Sequence, residues 1–258
     1  MHFNDLDKMM RVYEESSDQK VLPNIYMVAR LDGNGFSKLT KKLGFKKPFD
    51  IKFNSYMSLT VYYLMKETGF TFRYGYHQSD EISLLFSLDE NTFGRKLRKL
   101  NSILAAKTSA YFTYQLGEVV AFDCRISQLP TKVLVEDYFS WRQADATRNA
   151  LHGYCYWALR ENGNSARKAT SMLNNANDTY KKAFLLSAFD IDFNTTDTWT
   201  RNGTGLYFKK VTKEGFNPVT KKTTKVKRNK LIIDNELPTG LEYRNFIGGL
   251  LDGWNKCK

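Results

Sequence analysis

From Asn24 to Leu31 the chain runs almost unbroken through apolar residues, Ile25, Tyr26, Met27, Val28, Ala29 and Leu31, a pattern suited to a buried strand. The run stops at Asp32-Gly33. Beyond a basic stretch, Phe53, Tyr56, Met57, Thr60, Val61, Leu64 and Met65 recur at helical spacing, with Asp50 placed to cap the helix and Gly69 to end it. Phe70–Tyr76 and Ile82–Leu88 read as the strands of a hairpin joined by Gln78-Ser79-Asp80-Glu81. The helical period returns from Thr92 to about Gln115, and Val119–Ile126 reads as another strand. The order is βαββαβ.

That order is the split βαβ, or ferredoxin-like, unit, in which the first and third strands are antiparallel neighbours. The end of the first strand, carrying Asp32, should then lie beside the start of the third, where Asp80 and Glu81 sit. Past Pro130 the pattern predicts helices over Asp137–Glu161, Ala166–Asn174 and Asn177–Ser187, then a hairpin with a lysine-rich connection between Gly205 and Asp234. The expected architecture is α/β (α+β): an antiparallel catalytic unit over residues 1–135, and a closely packed helical region with a basic hairpin over 136–258.

Hydrophobic residues make up 42% of the 258, which places the chain among globular proteins. No run approaches the roughly 18 apolar residues that would span a bilayer, and Met1–Glu15 is polar rather than signal-like. A soluble, cytoplasmic protein with no membrane partner is expected. Cys124, Cys155 and Cys257 are far apart and odd in number, which argues for reduced thiols and against a disulfide framework or zinc knuckle. A formal net charge of +12 makes nucleic acid the default partner, with solubility as the alternative use of that charge.

Asp32 and Asp80 supply the oxygen ligands Mg²⁺ prefers, and paired carboxylates at one edge suit phosphoryl or nucleotidyl transfer. Gly33, without a Cβ, would let a phosphate approach the backbone. Lys46, Lys47, Arg95, Arg98 and Lys99 are candidate phosphate ligands. The run Lys209, Lys210, Lys213, Lys221, Lys222, Lys225, Lys227, Arg228 and Lys230 is the densest basic patch, suited to RNA phosphates rather than bases.

The blocks Arg30-Leu31-Asp32-Gly33-Asn34-Gly35-Phe36, Lys47-Pro48-Phe49-Asp50, Gln78-Ser79-Asp80-Glu81 and Asp137-Tyr138-Phe139-Ser140-Trp141-Arg142-Gln143-Ala144-Asp145 together resemble the tRNA(His) guanylyltransferase family of 3′-to-5′ polymerases. Phe122–Arg125, Phe189–Asn194 and Arg201–Gly203 extend the resemblance over nearly the whole chain. It implies a polymerase-like palm, two Mg²⁺ ions, ATP and GTP as substrates, tRNA as partner and a homotetramer. Asp32, Asp80 and the Gly33 carbonyl would hold metal, with Glu81 in support of the catalytic pair. Asn34, Gly35, Phe36, Ser37, Lys47, Ser79, Arg95, Lys99 and Lys181 would lie near nucleotide; Arg142, Gln143, Arg148 and Asn149 would face RNA.

One departure bears on substrate. Family members that add guanosine to tRNA(His) carry His-Ile-Asn-Asn after the Trp-Arg-Gln-Ala-Asp motif, whereas this chain has Thr147-Arg148-Asn149-Ala150. That change resembles the branch that repairs truncated tRNA 5′ ends against the opposite strand. Alternatives are guanosine addition to tRNA(His), a palm-type nucleotide cyclase and a non-catalytic tRNA-binding protein.

Overall fold

The computed structural model describes residues 2–217 and 222–252, with side chains described for 2–212 and 227–252. In chain order the elements are α1 (Phe3–Glu15), β1 (Tyr26–Gly33), α2 (Phe36–Lys42), α3 (Ile51–Glu67), β2 (Phe72–Gln78), β3 (Glu81–Phe86), α4 (Leu97–Leu116) and β4 (Phe122–Leu129). They continue as α5 (Lys132–Glu161), α6 (Ala166–Leu173), α7 (Asp178–Phe189), α8 (Thr198–Asn202), β5 (Thr204–Asn217), β6 (Lys222–Asp234) and α9 (Gly240–Asp252).

The strands form one antiparallel sheet in the order β4-β1-β3-β2-β5-β6. Its first four strands follow the order the βαββαβ pattern predicts. Both faces are covered, which explains the unbroken apolar run in β1. Met27, Ala29 and Leu31 point into a core built with Met57, Val61 and Leu64 of α3 and Leu100 and Leu104 of α4. Val28 points the other way, into a core with Phe139 of α5 and Tyr243 and Ile247 of α9. Asp50 caps α3 as expected, its carboxylate accepting from the amides of Lys52 at 2.8 Å and Phe53 at 3.2 Å.

Several boundaries differ from the periodicity for local reasons. The helix expected from Thr92 begins at Leu97, because Phe93, Gly94 and Arg95 adopt positive φ of 55°, 57° and 59° in a 3₁₀ turn. Gly117, at φ 74°, ends α4 and Val119 is exposed, so the next strand starts at Phe122 rather than Val119. Thr131 caps α5, accepting from the Leu134 amide at 3.3 Å, which starts that helix at Lys132 rather than Asp137. The pattern did not anticipate α1, α2, α8 or α9.

The second half of the chain completes the sheet of the first. Thr204–Tyr207 of β5 pair with Tyr74–His77 of β2, and beyond Tyr207 the strands β5 and β6 pair only with each other among the described residues. Because β5 runs antiparallel to β2, this two-stranded arm leaves the sheet at the end opposite Gln78. No helix among the described residues is long and apolar enough to cross a membrane.

Candidate active site

Strand pairing brings the acidic residues together as the topology requires. Asp32 stands opposite Glu81 on one side and Asp123 on the other, and the Gly33 amide donates to the Asp80 carbonyl at 3.1 Å. Burial pushes the Asp80 carboxyl above its usual range; its own amide and the Ser79 hydroxyl oppose that shift, and the charge of Asp32 adds to it. Among the described residues the Asp32 carboxylate takes no hydrogen bond and no ion pair. Two close carboxylates, both half-buried and one without a partner, fit a hard divalent cation through the chemistry of their oxygens.

Two clefts meet at Asp80, sharing Pro48, Phe49, Ser79 and Asp80. The narrower, about 90 Å³, is walled by aromatic rings of Phe36, Phe45, Phe49, Phe53 and Trp199 and carries Ser37, Lys46, Lys47 and Asn54. The wider, about 360 Å³, is floored by Asp32, Gln78 and Glu81 and walled by one face of α5. Its α5 residues, Arg142, Asp145, Ala146, Asn149, Ala150, Gly153 and Trp157, recur every three or four positions. That spacing was the signal by which Asp145, Gly153 and Trp157 could have been found in the sequence.

Lys47 is half-buried between the clefts, its ammonium donating to Thr40 Oγ1 at 2.6 Å and lying 6.0 Å from the Trp157 ring centre. Burial lowers its pKa, against the pull of Asp80 and Asp50. Asn34, Gly35 and Ser37 lie at the start of α2; the Asn34 amide donates to the Ala121 carbonyl at 2.8 Å and the Lys38 amide to the Gly35 carbonyl at 3.1 Å, so in the first turn the Phe36 and Ser37 amides are the ones with no helical acceptor. Phe36 is 3% exposed and its ring packs on Phe53, Phe112 and Phe122, so it belongs to the core as much as to the cleft. A Cβ on Gly33 would sit 2.4 Å from that ring. The glycine is needed there to seat Phe36, a different reason from the phosphate approach expected of it.

Other expected site residues lie elsewhere. Arg95 is buried, and its guanidinium donates to the carbonyls of Leu88, Glu90 and Ile25 at 3.2, 3.1 and 2.6 Å, which corrects its assignment to nucleotide. It and Lys99, in the first turn of α4, stand by the start of β1, whereas Asp32 is near its end; the seven steps of extended chain from Ile25 to Asp32 span roughly 23 Å. Arg98 is paired with Asp18. Lys181 is buried on α7, where its carbonyl accepts from Cys155 Sγ, and it lines neither cleft.

Arg142 and Gln143 are buried, and Arg142 walls the wider cleft. Arg142 is held by Glu81 and Asp145, and Gln143 donates to the Pro238 carbonyl at 2.9 Å. Arg148 and Asn149 are exposed, both donating to Asp145, at 2.5 and 3.3 Å. Lys209, Lys210, Lys227 and Arg228 are exposed on the arm; Lys222 and Lys225 lie in β6, and Lys221 lies outside the described residues. Cys124 and Cys155 are free, as expected, with thiols pushed up by burial to about 12 and about 11. Cys257 lies outside the described residues.

The family model described as tRNAHis guanylyltransferase matches residues 7–130, and that of the Thg1 C terminal domain matches residues 133–238. A probable tRNA(His) guanylyltransferase of Drosophila melanogaster is 32% identical over 204 residues, 75% of this chain and 71% of that protein. One of Dictyostelium discoideum is 31% identical over 212 residues, 77% of this chain and 82% of that protein. The structure of a bacterial tRNA(His) guanylyltransferase-like protein in complex with ATP superposes with a TM-score of 0.75 at 24% identity, over 96% of this chain and 99% of that one. With its fold and two family models spanning most of the chain, this protein belongs to the tRNA(His) guanylyltransferase family and is a nucleotidyltransferase.

Proposed function

We propose that this enzyme adds nucleotides to the 5′ end of tRNA in the 3′-to-5′ direction, dependent on Mg²⁺ and directed by the opposite strand. The observation that carries this reading is the meeting of Asp32 and Asp80 at one sheet edge, at the junction of two clefts. One cleft suits a nucleoside triphosphate and the other an RNA end. Asp32, Asp80 and the Gly33 carbonyl would hold two Mg²⁺ ions, which neutralise charge building on the phosphates and activate the attacking hydroxyl when bound.

Lys47 and the Phe36 and Ser37 amides opening α2 bind triphosphate oxygens, and the aromatic rings of the narrow cleft shield the base from water. The RNA 5′-monophosphate attacks the α-phosphorus of ATP, releasing pyrophosphate and leaving an adenylylated end. The 3′-hydroxyl of the incoming nucleotide then attacks the 5′-phosphorus; the new P–O bond forms as the bond to AMP breaks.

Across the arm Lys209 faces Lys230, a like-charge pair unfavourable within the protein alone and relieved by a polyanion. The arm leaves the sheet far from Asp80, which suits a long rigid RNA bound at both places. The exposed apolar positions of α1, Phe3, Leu6, Met10 and Tyr13, support assembly into the expected homotetramer.

Thr147-Arg148-Asn149-Ala150 in place of His-Ile-Asn-Asn supports templated repair. The names of the curated relatives favour guanosine addition to tRNA(His) as the second reading. Sequencing the products formed from 5′-truncated tRNAs with varied opposite bases separates the two: complementary additions support repair, and guanosine regardless of the opposite base refutes it. No extension, or extension undiminished by Asp32→Ala and Asp80→Ala, refutes the enzyme reading itself.

A further inference from the structure

Glu81 follows Asp80 in the chain and stands opposite Asp32 across the β1–β3 pair, where facing Cβ atoms lie about 5 Å apart. Three carboxylates therefore adjoin. Yet among the described residues no three Asp, Glu, His or Cys side chains gather into a group that could hold one metal ion.

Arg142 engages the third of them. From α5 its guanidinium donates to both oxygens of Glu81, Nε to Oε1 at 2.7 Å and Nη2 to Oε2 at 2.8 Å. A further bond from Nη2 to Asp145 Oδ2 at 3.0 Å, and the Trp141 ring centre 4.5 Å from the guanidinium carbon, hold the plane of the fork. The Arg142 side chain is only 9% exposed, so water competes weakly for this pair. A lysine would supply a point charge and hold one oxygen, leaving the other free to turn.

We propose that Arg142 is a positioning residue that withholds Glu81 from the metal site, so that the protein retains divalent cations only together with a nucleoside triphosphate. The inference rests on the metal-dependent reading above. Two carboxylates leave coordination positions of Mg²⁺ for water and substrate phosphates, the arrangement that ion favours. A third carboxylate would bind the cation without nucleotide and occupy positions the phosphates need. The Arg142 fork thus makes metal loading follow nucleotide binding.

The experiment is Mn²⁺ binding to the full chain, read by electron paramagnetic resonance of the free ion, with and without a non-hydrolysable ATP analogue. Wild type, Arg142→Met, Glu81→Gln and the double variant are compared. Wild type should bind Mn²⁺ weakly alone and about tenfold tighter with the analogue. Arg142→Met alone should bind Mn²⁺ about tenfold tighter than wild type without nucleotide, and Glu81→Gln should abolish that gain. An equal gain in both backgrounds marks loss of a positive charge only and overturns the proposal, as does no gain. If Arg142→Met does not melt cooperatively, Arg142→Lys carries the same comparison: a gain abolished by Glu81→Gln supports the proposal, and no gain overturns it. Absence of Mn²⁺ binding by wild type even with the analogue would instead refute the metal-dependent reading and the proposal with it.

Discussion

Replacing Gly33 by alanine tests whether the edge that carries Asp32 is set by packing. The new Cβ would lie 2.4, 2.7 and 2.8 Å from Cδ2, Cε2 and Cγ of Phe36, about 1 Å inside normal carbon contact. The ring cannot simply swing aside, because its centre is 5.0 to 6.0 Å from those of Phe53, Phe112 and Phe122. Either the ring or the end of β1 must move, at the roughly 1–3 kcal/mol typical of an overpacked core. For a chain of this size each kcal/mol lowers the melting temperature by roughly 2–4 °C. Because the Gly33 amide bonds to the Asp80 carbonyl, a shift of the strand end also misplaces both carboxylates, and a displacement near 1 Å costs about a hundredfold in turnover. Thermal melts and single-turnover tRNA extension should be run on Gly33→Ala, Phe36→Leu and the double variant. The smaller side chain in the double variant should return part of the lost stability. Wild-type melting and turnover in Gly33→Ala, or strictly additive effects in the cycle, would refute the packing argument.

Three further outcomes are expected. His77 is fully buried beside Ser58, and burial lowers its pKa to about 3. The unfolded chain takes up a proton below about pH 6.5 that the fold refuses, so stability present above that pH is lost as pH falls toward 3, at up to about 1.4 kcal/mol per unit; urea melts should show a shallower decline in His77→Gln. Arg95→Met should cost about 1–3 kcal/mol in denaturant melts by stripping partners from buried carbonyls, with the KM for ATP unchanged; a raised KM would restore Arg95 to the nucleotide site. Alanine at Lys209, Lys210, Lys227 and Arg228 should weaken tRNA binding and flatten its dependence on log salt by about 0.7–0.9 for each phosphate no longer neutralised; an unchanged slope would remove the arm from the RNA interface.

The apolar run of β1, the helical period of α3 and the hairpin around Asp80 were legible in the sequence because each is a local pattern with one face to bury. From those, the βαββαβ order alone placed Asp32 beside Glu81, as the register shows. The fate of the arginines was not legible. Arg95 and Arg142 look in sequence like any exposed base beside an anionic ligand, yet one is committed to three carbonyls and the other to Glu81 and Asp145. Their partners lie up to 70 residues away, and only packing decides which distant acceptor a long side chain meets.

The sequence by itself determined the βαββαβ order of the first half, the basic charge and the placing of Asp32 beside Glu81, since these depend on periodicity, composition and motif. Tertiary structure decided why residue 33 is glycine, that β5 extends the sheet through β2, and that the basic arm points away from Asp80. Each of these follows from contacts between segments remote in the chain, where steric fit and the pairing of buried polar groups choose among arrangements that local pattern leaves equal.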